Sequence, residues 1–253
     1  MAISGKYIYG VIKTVQDERF GPIGLQGEEV LTVGMGELAM LVSHYESDTE
    51  TKVRSSRKNL IAHQKVLETV MEHHNVLPVK FGTMADHEGD VRNLLMKHQI
   101  GFTKSLEQLD GMVELSVKVF WEDMRGIYDE VLNENQAIQD LKISIAGNEH
   151  TGALIEVGKM VEEALENKRI AEAEAIFEPL SRIAAEAKQQ KNIGDQMLLN
   201  GAFLIRKSRE KEFDNTIDEI AEQYEGRLKF KYIGPLAPYS FVDLSIYPET
   251  WEA

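Results

Sequence analysis

Between residues 60 and 74 the apolar positions keep the rhythm of a helix. Leu60, His63, Val66, Leu67, Val70, Met71 and His74 share one stripe, while Lys58, Lys65, Glu68 and Glu72 take the other face. Ser55 or Ser56 can cap the start and Asn75 suits the end, which predicts a helix over 57–74. The period then switches to two. In LPVKFGT, residues 77–83, the side chains of Leu77, Val79 and Phe81 point one way, and those of Val76, Pro78 and Lys80 the other. This predicts a strand over 76–82 with Lys80 on its wet side. Pro78 has no N–H for a ladder, which places the strand at an edge or a bulge. Gly82 permits the turn beyond it.

The same reading extends along the chain. KYIYGVI at 6–12 is a strand, and 13–29, with Gly21, Pro22, Gly24 and Gly27, is a loop. Residues 30–45 read as two short strands broken near Gly34 and Gly36, and 88–108 as a helix. MVELSVKVFW at 112–121 alternates, with Val113, Leu115, Val117, Val119 and Trp121 on one face, and a helix follows with Met124, Ile127, Tyr128, Val131 and Ile138 in phase. Residues 153–190 have strong helix propensity, but the stripe loses phase near Lys168 and Pro179 should kink it, so two helices or one bent helix are expected. A strand over 198–206, a helix capped by Ser208 and ended by Gly226, and a strand over 228–233 complete the order. The remainder, 234–253, is aromatic and marked by proline.

Strands and helices mix without strict alternation. This predicts an α+β protein of two domains, each a small mixed or antiparallel sheet with packed helices, at least one of them ferredoxin-like. Residues 1–110 form the first. Residues 111–253 form the second, ferredoxin-like, with a long helical insertion over about 122–190 and a C-terminal tail.

Composition narrows the chemistry. The net charge of −14 disfavours a nucleic-acid binder or a protein docked on anionic lipid. No apolar run approaches the roughly 18 residues of a membrane span, and MAISGKYIYG lacks the core of a signal peptide. The chain has no cysteine, which removes disulfides, thiolate zinc sites and cysteine nucleophiles and fits a cytoplasmic protein.

The candidate motifs reduce to structure. GMGELA at 34–39 matches a dinucleotide fingerprint, yet the region where the ribose-binding acid belongs is KVRSSR, basic and opening a helix. His63 and His74 share a helical face but stand roughly 16 Å apart, too far to share one ion. DHEGD at 86–90 lacks the full calcium-loop pattern, and FGTM has neither the length nor the lysine of a phosphate cradle. No metal, cofactor or small-molecule substrate is expected, and no catalytic residue is assigned.

SSRKNLIAHQKVLETVMEHHNVLPVKFGTM at 55–84 resembles the signature region of the gas vesicle protein F/L family. The matching residues are Arg57, Asn59, Leu60, His63, Val66, Leu77, Pro78, Phe81, Gly82 and Thr83. KYIYGVI, VELSVKVFW, NGAFLI at 200–205 and YIGPLAPYSFVDL at 232–244 are similar to further parts of that family, in the same order. The resemblance implies two α+β domains, at least one ferredoxin-like. It also implies a non-catalytic accessory protein of gas vesicle assembly, located in the cytoplasm and associated with the vesicle. Its partners would be the small apolar shell protein or other accessory proteins.

Within that frame Arg57, Asn59, His63, Pro78, Phe81 and Gly82 are expected to be structural, with His63 buried and bonded. The segment 235–251 is the expected protein-binding surface through Tyr239, Phe241, Tyr247 and Trp251, because aromatic anchors with few charges favour docking. The alternative is a ferredoxin-like enzyme or small-ligand-binding protein that uses the GMGELA turn and the histidine-bearing helix.

Overall fold

The computed structural model describes residues 3–47, 52–145 and 151–242. The chain opens with strand β1 (Ile3–Lys13), whose residues from Tyr7 to Ile12 are all buried. Such a strand must be covered on both sides, and the next elements build that setting. β2 (Arg19–Gly21), β3 (Val30–Met35) and β4 (Leu38–Ser47) are followed by α1 (Arg57–Met71), β5 (Val76–Pro78), β6 (Met84–Ala85) and α2 (Glu88–Gln108). The sheet order is β2-β3-β4-β1-β5, with β6 also on β1. β1 runs antiparallel to β4 from Ile3 opposite Ser47 to Lys13 opposite Leu38, with an irregularity between Ile8 and Gly10. Tyr7 and Tyr9 of β1 join Val66, Leu67 and Val70 of α1 in one buried cluster. α2 packs on β1, β3, β4 and β5 through buried residues that include Val91, Leu95 and Phe102.

The second half is built as β7 (Met112–Trp121), α3 (Met124–Glu134), α4 (Gln136–Ile145), α5 (Thr151–Ser181), β8 (Glu186–Gln189), β9 (Met197–Arg206), α6 (Glu210–Gln223) and β10 (Leu228–Leu236). Its sheet order is β10-β7-β9-β8. This is the strand order of a split βαβ pair, the ferredoxin-like arrangement, with α3, α4 and α5 filling the first crossover. Phe203 of β9 packs against Phe177 of α5 and Phe213 of α6, at centroid distances of 5.3 and 5.2 Å.

The chain divides into two compact units, residues 1–114 with 235–253, and residues 115–234. The sequence reading instead divides at 110/111 and leaves the C-terminal tail in the second domain.

Three local expectations need correction. Residues 186–189 are strand β8, not helix, because pairing with β9 (Glu186 opposite Leu204, Lys188 opposite Ala202) overrides a helix-favouring composition. Of the two outcomes expected for the helical stretch, α5 takes the single helix, which runs on past the loss of phase at Lys168 with Pro179 in its last turn. The strand expected over 76–82 is only Val76–Pro78; the Val79 N–H still bonds the Tyr9 carbonyl of β1 at 2.9 Å, and Lys80 to Thr83 form a turn. Ser208 lies in a short 3-10 turn ahead of α6, not at its cap, which is Arg209.

Candidate functional site

The signature residues converge on one buried histidine. α1 begins where Ser56 accepts a hydrogen bond from the Asn59 backbone N–H at 3.2 Å, and the Asn59 side chain donates to the Arg54 carbonyl at 2.9 Å. These bonds satisfy helix-start groups that would otherwise be stranded and fix the rotation of α1. His63 then points into the core, with 4% of its surface exposed. On β1 the pleat turns Tyr7 and Tyr9 toward the same side. The Tyr7 hydroxyl lies 2.8 Å from His63 Nδ1, and the Tyr239 hydroxyl bonds His63 Nε2.

Hydrogen-bond accounting orients this chain. The Tyr7 hydroxyl also accepts the Gly82 N–H at 3.1 Å. A neutral imidazole donates from one nitrogen and accepts at the other. If Nδ1 carried the proton, the Tyr7 hydroxyl would accept twice and its own proton would be stranded in the core. The satisfied arrangement is therefore Tyr7 O–H donating to Nδ1, with Nε2–H donating to Tyr239. Burial holds the His63 imidazolium down at about 4 and pushes the Tyr7 and Tyr239 phenols well above their ordinary value. All three groups are neutral near pH 7.

Other signature residues frame the same point. The Phe81 ring lies 5.9 Å from Tyr7 and 5.6 Å from His63. Gly82 adopts φ +91°, a conformation that favours glycine, and this presents its N–H to Tyr7. Pro78 is buried opposite Gly10 at the sheet edge. Arg57 is exposed at the first position of α1. Beside them the Tyr9 hydroxyl meets Ser43 Oγ and the Leu25 N–H, each at 2.8 Å.

The C-terminal segment closes the cluster. Ala237 and Pro238 are buried and Tyr239 is partly buried. Ser240 donates its N–H and its hydroxyl to the two oxygens of Glu114, each at 2.7 Å, and Glu114 is 5% exposed. Tyr239 is thus bonded within its own unit. Phe241 is partly buried, while Tyr247 and Trp251 lie outside the described residues. Tyr7, Ser240 and Glu114 escaped the sequence reading. Glu114 stands in the polar phase of the β7 alternation, so nothing in the local pattern marks it as buried.

The arrangement suits locking more than chemistry. His63 is enclosed and both nitrogens are engaged. A cavity of about 430 Å3 on the same unit is lined by residues that include Lys13, His73, His74 and Asp110, but not by His63. His74 is taken by Glu18 at 2.9 Å, and His87 caps α2 through Asp90. Among the described residues no group of three or more His, Asp or Glu is placed to hold a metal, and no helix is long and apolar enough to cross a membrane. GMGELA is a two-residue hairpin turn between β3 and β4, with Gly36 at φ +65°. A strand follows it, not a helix, so the dinucleotide reading fails on its main physical requirement.

The model of the family described as gas vesicle synthesis protein GvpL/GvpF matches residues 5–243. The chain belongs to this family. Gas vesicle protein F of Nostoc sp. strain PCC 7120 is 27% identical over 246 residues, which cover 96% of this chain and 99% of the relative. The crystal structure of GvpF from Anabaena sp. PCC7120 superposes with a TM-score of 0.83 at 26% identity, covering 96% of this chain and 100% of that one. GvpF from Microcystis aeruginosa superposes at 0.80 with 27% identity, covering 95% and 99%. The GvpL/GvpF similarity thus takes in both units and the segment that carries Tyr239 and Ser240.

Proposed function

We propose that this chain is a non-catalytic accessory protein of gas vesicle formation that binds the shell subunit or other gas vesicle proteins. The observation that carries the reading is the end-to-end match to GvpL/GvpF, over residues 5–243. The geometry supports it, because the signature residues build an enclosed lock around His63 rather than an open reactive site. A protein of this role works in the cytoplasm, at the growing vesicle. Its docking residues are placed in the aromatic C-terminal segment. With Tyr239 engaged by His63, the contribution of Tyr247 and Trp251 weighs most.

Complementation tests the reading. In a vesicle-forming host that lacks its own copy, the full chain should restore vesicles visible by electron microscopy, and a chain lacking 245–253 should melt normally but capture less shell subunit. Restoration by the full chain with undiminished capture by the shortened one would move the docking site elsewhere. Failure of the full chain to restore vesicles would remove the functional reading itself.

A further inference from the structure

Among the described residues the open edges fall to β2, β5 and β6 of the first sheet and to β8 and β10 of the second, and all but β10 are short. β2 and β5 have 3 residues each and β5 ends at Pro78, while β8 has 4. β10 has 9, and Lys229, Lys231, Tyr232, Ile233, Gly234 and Pro235 are exposed along it. A long open edge invites pairing. The Arg227 carbonyl accepts from the Glu122 N–H of the strand β7 side at 3.0 Å. By alternation the peptide groups of 229, 231 and 233 also face β7, and those of Phe230, Tyr232 and Gly234 point outward.

The two faces of this edge differ in charge. Lys231 Nζ lies 5.0 Å from the Phe120 centroid, so Lys229 and Lys231 stand on the face of Phe120. No Asp or Glu occurs from Gly226 to Val242, in a chain of net charge −14. On the opposite face the Tyr232 hydroxyl donates to Asp214 of α6 at 2.6 Å, and Glu210 and Asp218 are near enough to act on that phenol. A carboxylate is favoured on the first face and repelled on the second.

We propose that the outer edge of β10 accepts an extended segment of another protein as an added strand, with carboxylates at alternate positions on the face of Lys229 and Lys231 and uncharged residues between them. Main-chain bonds to Phe230, Tyr232 and Gly234 would hold it, and the lysines would select it. A second copy of this chain is a poor occupant, since its β10 would bring further lysines and no carboxylate to the edge.

The test uses the full chain and a labelled eight-residue peptide of alternating glutamate and valine at low ionic strength, read by fluorescence anisotropy. Its binding should weaken with salt and exceed that of the lysine–valine peptide at least tenfold. N-methylation at all valines or at all glutamates should abolish binding in one of the two cases, since only one set pairs with β10. The amides of Phe230, Tyr232 and Gly234 should gain protection from hydrogen exchange. K229E/K231E, at exposed positions, should melt like the parent and reverse the peptide preference. Absence of binding, equal binding of the lysine peptide, or indifference to both N-methylations would each overturn the proposal. So would concentration-dependent protection of those amides without peptide, which would make the occupant a second copy.

Discussion

Tyr7 and His63 are 56 residues apart in the chain, and the Tyr7 hydroxyl stands 2.8 Å from the imidazole Nδ1. The bond ties the first strand to the first helix, and its second branch ties both to the turn after β5 through Gly82. His63 passes the connection on to Tyr239, 176 residues away. His63 and Tyr7 together therefore join four segments, which explains why a histidine stands at an inner position of α1 where an aliphatic residue would pack as well.

Replacing His63 by alanine should cost about 2–4 kcal/mol, from the stranded Tyr7 hydroxyl and the cavity together. His63→Phe fills the space without the bonds and should recover part of the loss. Urea denaturation measures both. A His63→Ala midpoint equal to the parent's would show that the bonds contribute nothing.

The same burial sets a pH dependence. The folded-state value of His63 is about 4, below the ordinary 6.5. The unfolded chain then binds the extra proton between these values, so the stabilising term is complete above pH 6.5 and is lost as pH falls toward 4. Its size is about 3 kcal/mol. His63→Gln should flatten the stability profile in this window. An unchanged slope would mean that other groups set it.

The parts of the fold that local pattern controls are legible in the chain. The α1 stripe, the strand over 112–121 and the hairpin at Gly36 follow from period and turn chemistry. β8 is not legible, because Glu186 to Gln189 become a strand only by lying beside β9. Likewise Lys168 interrupts an apolar stripe without breaking α5, since its ammonium meets Glu130 at 3.0 Å and Glu134 at 2.9 Å on α3. The signature marks His63 as special, but its partner Tyr239 stands in the last segment, and no spacing rule reaches that far. Glu114 and Ser240 are hidden for the same reason.

The C-terminal segment should be required for the stability of the first unit. Ending the chain at 234 removes Ala237 and Pro238 from the core, Tyr239 from His63, and Ser240 from Glu114. Glu114→Gln is the finer test. It places an amide N–H₂ where a buried carboxylate accepts two donors, and should cost about 1–3 kcal/mol. Thermal melts of both variants beside one ending at 243 check this. The chain ending at 243 should behave like the parent, and a chain ending at 234 that did so too would show that the segment is merely resting there.

Arg227 plays the corresponding part in the second unit. Its guanidinium meets both oxygens of Glu130, at 2.6 and 2.8 Å, and Glu172 at 2.6 Å, and Glu172 also accepts the Trp121 indole N–H at 2.8 Å. A planar fork can serve two carboxylates at once, whereas an ammonium cannot hold both in the same geometry. Arg227→Lys should therefore lose about 1–2 kcal/mol, and Arg227→Met more, with the loss reduced by screening because the Arg227 and Glu130 side chains are 32% and 36% exposed. Chiefly through Arg227, Glu130 is held down at about 2. Its folded value is below its unfolded one, so this contribution is present above about pH 4.5 and fades as pH falls toward 2, a window below that of His63. Urea melts across both windows, followed by circular dichroism for the whole chain and by Trp121 fluorescence in a Trp251→Phe background for the second unit, separate the two. Arg227→Lys should change the lower window and leave the upper one intact. A change in the upper window alone would disconnect Glu130 from Arg227.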